Sequence, residues 1–258
     1  MDHDAVFALF DEQMRRGARP DAPGAKVEHM GDLVRQVGTD DGWNGIIWSN
    51  LDPESAASAI AEQVEHFKAL GRDFEWKVYA HDQPRNLPRL LRKAGFVPEP
   101  EETLMVAEVH DLPANIELPD GVHLHPVTDG ADVDLVTEVH DRAFGTDSSW
   151  IGHQLRAQLR EAPETVAVVV AMAGDRPVSS ARMELHPGTR FASLWGGGTI
   201  GEWRGQGIYR ATVAYRARIA AEGGYRYMQV DASSQSRPIL QRLGFTPLST
   251  TTPYLCTH

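Results

Sequence analysis

A chain of 258 residues, 41% hydrophobic and 24% charged, has room for one large domain or two ordinary ones with well-filled cores. No apolar run nears the ~20 residues of a membrane span. The opening Met1-Asp-His-Asp4 lacks the basic and apolar parts of a secretory leader, so a cytoplasmic location with no membrane partner is expected. The single cysteine, Cys256, excludes an internal disulfide. A net charge of −11 argues against a nucleic-acid partner. The charge is uneven: residues 1–117 hold 12 Lys+Arg against 22 Asp+Glu, whereas residues 118–258 hold 13 against 14, and all 13 are arginine.

The first half opens its regular structure with a strand over 45–49. Asp52 is placed as an N-cap and Pro53 as the first helical residue of a helix with Ala57, Ile60, Val64 and Phe67 on one face, ended by Gly71. A strand over 76–80 and a helix over 87–94 then lead into Gly95-Phe96-Val97-Pro98. A linker is expected over 112–119.

In the second half a strand over 121–126 precedes helices over 132–144 and 150–159. Strands over 165–172, 178–185 and 191–199, joined by the tight turns 173–177 and 186–190, read as an antiparallel meander. A helix over 208–222 shows Ile208, Ala211, Tyr215 and Ile219 on one face and stops at Gly223-Gly224. A strand over 227–230 and a short helix follow, the helix capped by Ser236, with Pro238 in its first turn and Gly244 at its end. A last strand covers 246–254. Strand, helix, strand, short helix, Gly-Phe thus occurs twice, the first copy having a three-residue insertion in one loop. The expected division is a first domain over 1–111, the linker, and a second domain over 120–258.

The most telling stretch runs from Leu194 through the triplet Gly196-Gly-Gly198 and the loop Arg204-Gly-Gln-Gly207 to Arg210. Glycines uncover backbone N–H groups, and a helix start aims further N–H groups and a positive dipole at the same point, a cradle for polyphosphate. Gly196 to Gly201 formally matches G-x-G-x-x-G, but that motif belongs inside a βαβ unit, not after a hairpin. A Walker loop needs a lysine, and none follows Lys93.

Strand, R-G-Q-G, helix resembles the pyrophosphate loop of the GNAT (GCN5-related) N-acetyltransferases, clearly over 121–258 and faintly over 27–110. Tyr209 stands where the family pattern has Gly or Ala, and where the first copy would carry the loop it has Asn50-Leu-Asp-Pro-Glu54 instead. The resemblance implies an α/β (α+β) fold of two GNAT-like domains, each a mixed, mostly antiparallel sheet flanked by helices, the first copy being degenerate. It implies acetyl-CoA as acyl donor and no metal. The backbone of Gly198, Thr199 and Ile200 would hold the pantetheine arm, and Arg204, Gly205, Gln206, Gly207, Ile208, Tyr209 and Arg210 the pyrophosphate. The helix after Ser236 would lie beside the donor. Direct transfer to an amine, without a covalent intermediate, is implied as the reaction.

The family's usual acid, a tyrosine in the short fourth helix, is Leu240 here, and its usual asparagine is replaced by Ser233 or Ser234. From the residues themselves, Glu184 in the hairpin strand, Asp231 at a strand end and Tyr254 in the last strand are candidates for proton transfer. A water relay with no single base stays open. His123 and His125 alternate on one strand face without further ligands in register. The expected acceptor is a small-molecule amine entering beside Trp150 and Glu184, and the acidic half leans towards a cationic one. A protein or peptide acceptor, and a non-catalytic CoA-binding sensor or scaffold, are the alternatives. Monomer and homodimer are both open.

Overall fold

The computed structural model describes residues 1–40, 42–113 and 115–257; Ala114 of the expected linker and His258 lie outside the described residues. Two compact units form, and they are not sequential. The first comprises 1–105, 231–238 and 247–258, and the second comprises 106–230 and 239–246. The expected division at 112–119 therefore differs from the compact units at the C-terminal end. The last strand returns to the first unit through long-range pairing, which no local signal encodes.

In the first unit, helix α1 (His3–Phe10) runs on into a π-helical turn, Asp11–Arg16. Strands β1 (Lys26–His29), β2 (Leu33–Val37) and β3 (Gly45–Ser49) pair antiparallel in that order. Helix α2 (Ala56–Ala69) carries the chain over to β4 (Phe74–Tyr79), which pairs parallel to β3. Helix α3 (Leu87–Lys93) and the short β5 (Val97–Pro98) follow, then β6 (Glu102–Glu108), which starts in this unit. Phe67, Phe74, Trp76, Leu87, Leu91 and Phe96 form the core, with the Phe67 and Phe74 rings stacked at 4.3 Å. Helix α2 begins three residues later than Asp52 suggests: Asp52 Oδ1 accepts from the Glu54 N–H, and Ser55 is the N-cap. Ala56, not Ala57, faces the core.

The register between β3 and β4 ends at Ile46↔Trp76. Arg15, only 1% exposed, fills the place where the strands part. Its guanidinium donates to Asp82 Oδ1 and Oδ2 (2.8 and 2.7 Å), to Asp11 Oδ1 (2.6 Å) and to the Ile47 carbonyl (3.2 Å), and lies 4.0 Å over the Tyr79 ring. Asp82 also accepts from the Tyr79 N–H.

In the second unit, β7 (Val122–Val127), β8 (Val166–Ala173), β9 (Arg176–Leu185) and β10 (Phe191–Thr199) form the antiparallel meander, and β11 (Tyr227–Ala232), whose residues up to Val230 belong to this unit, pairs parallel to β10 through Tyr227, Met228 and Gln229. Helices α4 (Val133–Phe144) and α5 (Ser149–Glu161) bury Val133, Val136, Leu155 and Leu159 against β8. Helix α6 (Ile208–Glu222) joins β10 to β11. Its burial extends well beyond the expected stripe, to Thr212, Val213, Ala214, Arg216, Ala217 and Ala220, while Tyr215 and Ile219 are half-buried. The small residues allow that close packing. The short α7 (Arg237–Arg242) crosses between the sets of residues that make up the two units, and β12 (Thr246–Cys256) pairs antiparallel to β4 and β5. No helix among the described residues is long and apolar enough to cross a membrane.

Removing Arg15 would leave Asp82 buried without its countercharge, and breaking a buried pair from one side typically costs about 3–5 kcal/mol. Arg15→Ala is expected to lower the free energy of unfolding of the first unit by that amount, read from the urea midpoint; an unchanged midpoint would show that the pair is structurally idle.

Candidate functional site

The parallel pair of the second unit is registered only over Phe191↔Tyr227 to Ser193↔Gln229. At its root Ser193 Oγ bonds both His186 Nε2 (2.7 Å) and Gln229 Nε2. β10 continues to Thr199, and its pairing with β9 shifts between Trp195↔Arg182 and Gly198↔Ser180. Gly196 and Gly197 are thus a bulge. Gly196 has φ +56°, the left-handed conformation in which glycine is favoured at a bulge.

Two helices press on the bulge from opposite faces of the strand, as side-chain alternation requires. A Cβ on Gly197 would stand 2.9 Å from Tyr209 Cε2 of α6, and one on Gly198 2.8 Å from Phe144 Cε2 of α4. A Cβ on Gly196 would lie 3.3 Å from His140 Nε2 of α4. The glycine triplet is therefore a packing requirement of two aromatic rings as well as a bulge.

After β10, Gly205 (φ +75°) and Gly207 (φ +85°) both take left-handed backbone, and Gly207 is the N-cap of α6 with no side-chain cap. The N–H groups from Gly205 to Arg210 find no acceptor among the described residues. Arg204 braces this loop: its Nε donates to the Thr199 carbonyl (2.9 Å) and Nη2 to the Ala143 carbonyl (3.2 Å). Arg210 is exposed and only 3.6 Å from Glu117 Oε2. Gln206 Nε2 donates to the Glu202 carbonyl.

The expected strand residues 198–200 are tied inward. The Gly198 carbonyl accepts from Ser179 Oγ (2.8 Å), the Ile200 N–H donates to the Val178 carbonyl, and the Thr199 carbonyl holds Arg204. The backbone without a ladder partner lies earlier, at Gly196 and Gly197, because the bulge removes those two residues from the β9 register.

On the α4 face, Glu184 is half-buried, 3.6 Å from Arg182 Nη2, and Arg182 stands opposite Trp195. Trp195, Trp150 and Phe144 are exposed apolar side chains of this unit. His140 Nδ1 meets Ser148 Oγ at 3.2 Å, and the Ser148 N–H donates to Asp141 Oδ1 (2.8 Å). Burial lowers the His140 pKa, Arg182 adds to that, and Asp141 opposes it. On the α6 face, Arg216 is 1% exposed, donating to the carbonyls of Thr212 and of Arg182 beside the bulge, while its Nη2 has no partner among the described residues. Burial brings its pKa down to about 10, against the pull of Tyr209. Burial raises the Tyr209 phenol, with Arg216 opposing.

The remaining predicted residues fall in the first unit. Asp231 Oδ2 pairs with Lys77 Nζ at 3.2 Å. Tyr254 is a core residue, 3% exposed, with the Arg92 guanidinium 5.3 Å from its ring. Ser236 Oγ donates to the Ser233 carbonyl (3.4 Å). Leu240, in the second unit, is fully buried. His125 bonds Asp132 Oδ2 at 2.8 Å, and no cluster of three metal-ligating side chains occurs among the described residues. His140 and Arg216 carry no site signal in the sequence. Each sits one helical turn from apolar core residues, and neither is part of a motif.

No family model and no curated protein matches the chain. Solved structures do match, and they show its fold to be that of the GCN5-related N-acetyltransferases. One is a GCN5-related N-acetyltransferase from Kribbella flavida, 20% identical with a TM-score of 0.69 over 98% of this chain and 93% of that one. Another is a tandem GNAT protein from the clavulanic acid biosynthesis pathway, 14% identical with a TM-score of 0.62 over 98% and 92%. A third, a GCN5-related N-acetyltransferase from Sphaerobacter thermophilus, is 16% identical with a TM-score of 0.63 over 87% and 76%.

Two outcomes follow from this geometry. Gly197→Ala should destabilise the second unit by about 1–3 kcal/mol through overpacking on Tyr209, and adding Tyr209→Ala should cancel most of that penalty in a double-mutant cycle of urea midpoints. Burial holds the His186 pKa at about 4, below its ordinary 6.5. The unfolded chain therefore takes up the proton first, and stability falls as pH drops from 6.5 towards 4. His186→Gln should flatten that slope, which is checked by comparing urea midpoints at pH 7 and pH 5.

Proposed function

We propose that the chain is an acyl-CoA-dependent N-acyltransferase that moves an acyl group, acetyl first of all, directly to the primary amine of a small molecule. The observation that carries this reading is the run of unpartnered N–H groups from Gly205 to Arg210 at the uncapped start of α6. Such a helix start stabilises a diphosphate through its dipole and its N–H groups together. Arg210 adds an exposed charge, shared with Glu117, whereas Arg204 holds the loop in shape. The pantetheine arm then lies along the strand edge at Gly196 and Gly197, paired like an added strand. This brings the thioester to the parting of β10 and β11, where the amine nitrogen attacks its carbon and the thiolate leaves.

The degenerate first copy fits a supporting role in this scheme, because Arg15 occupies its parting and the acidic Asp52 and Glu54 precede α2. A cytoplasmic enzyme acting on a cationic acceptor agrees with the acidic balance of the chain. A non-catalytic CoA-binding role is the second reading, favoured by Leu240 and by the engagement of Asp231 with Lys77.

Titration calorimetry with acetyl-CoA and CoA, and free-thiol release across a panel of amines and peptides, separate these readings. Turnover with small amines is expected; binding without turnover on any acceptor would favour the sensor. Gly207→Val forces a β-branched residue into left-handed backbone and should weaken acetyl-CoA binding by more than about tenfold, an effect of at least 1.4 kcal/mol. Unchanged affinity would refute the placement of the diphosphate.

A further inference from the structure

We infer that His140 is the general base of the acyl transfer, taking the proton of the attacking amine at its Nε2. This inference rests on the acyltransferase reading and adds to it a residue on α4. Its ground is placement. Nε2 would stand 3.3 Å from a Cβ on Gly196, so it faces the bulge where β10 has left the β9 register. Tyr209 covers the neighbouring Gly197 from the opposite face, so the imidazole and the α6 side of the strand are separated by a single backbone. Nε2 has no hydrogen-bond partner among the described residues and the residue is half-buried, whereas Nδ1 is held by Ser148 Oγ. Ser148 is itself 1% exposed and anchored through its N–H by Asp141, so the ring orientation is fixed from two sides.

The groups facing His140 set its protonation. Asp141 lies on its own helix, Arg182 approaches from β9 with Glu184 as its ion-pair partner, and Ser148 caps α5. The Phe144 ring is 4.6 Å away. Burial and Arg182 together keep the imidazole neutral at pH 7. With Nδ1–H donating to Ser148, Nε2 carries the lone pair. The neutral amine attacks the thioester carbon, forming the N–C bond and giving the nitrogen a positive charge. That nitrogen passes one proton to Nε2. The C–S bond breaks, the thiolate leaves with the electron pair and takes a proton from water, and the imidazolium returns its proton to water. The products are the amide and free CoA thiol.

His140→Gln and His140→Ala are expected to bind acetyl-CoA with unchanged Kd and to lose about 100-fold or more in kcat at pH 7, as removal of a general base does. For an acceptor whose amine is neutral throughout, wild-type kcat/KM should fall with slope one below a pKa under 6.5; both variants should lack that limb. Imidazole should partly restore His140→Ala, and Ser148→Ala should move the limb. Nitrogen-15 NMR of the wild-type protein at pH 7.5 should show His140 protonated on Nδ1 and bare on Nε2, a readout independent of turnover. Turnover of His140→Gln within threefold of wild type with the acid limb retained, or a proton on Nε2, would overturn the assignment while leaving acetyl-CoA binding intact. Failure of the wild-type protein to bind acetyl-CoA would instead sink the acyltransferase reading and the base with it.

Discussion

Everything in this chain hangs on a parallel strand pair that is joined by a helix and then allowed to come apart. β3 and β4 in the first unit, and β10 and β11 in the second, are each held by a short register before the pairing stops. Backbone groups beyond that point lack their ladder, and unpaired polar groups away from water are costly. Something must answer them. In the first unit the answer is a side chain of the same chain: Arg15 reaches the Ile47 carbonyl while Asp82, Asp11 and the Tyr79 ring satisfy its charge. In the second unit no such plug appears among the described residues, and the strand edge is bordered by glycines.

The two buried arginines express this difference as electrostatics. Arg15 has a bidentate carboxylate, and its pKa is raised despite burial because Asp82, Tyr79 and Asp11 oppose the desolvation. Arg216 has carbonyls only, keeps one nitrogen without a partner among the described residues, and has its pKa brought down to about 10 by burial. A desolvated charge without a counter-ion is retained only at a cost. The first unit thus completes itself, while the second holds unanswered donors at Arg216 and along the start of α6.

Much of this was legible in the sequence, and the reasons are local. The β10 and α6 boundaries follow from a Pro-Gly turn, a glycine loop that must take positive φ, and a double glycine at the helix end. Gly205 and Gly207 announced the uncapped helix start because no other residue serves that backbone as readily. What was not legible is long-range. The pairing of Thr251 with Tyr79 places the final strand in the first unit, and nothing near Thr251 states it. Asp52 looked like a cap but holds an Asx turn, since the same carboxylate serves either purpose. His140 reads in sequence as one more position on an amphipathic helix. Only the bulge, which turns Gly196 towards it, makes it more than that.

The glycine triplet is where α4 and α6 reach the same stretch of strand. A strand with side chains at 196–198 would hold α4 and α6 away by the width of those side chains, and neither Tyr209 nor Phe144 could reach the backbone. With glycine at all three positions, one peptide segment is touched by α4 on one face and by α6 on the other. On the acyltransferase reading proposed above, a thioester laid along that segment would meet the proposed diphosphate cradle at the end of the strand and the imidazole across it. Under that proposal, donor and acceptor would approach one carbonyl carbon from separate sides, the pre-set orientation that direct transfer needs. Under that proposal the bulge is the joint between the geometry of binding and the geometry of reaction.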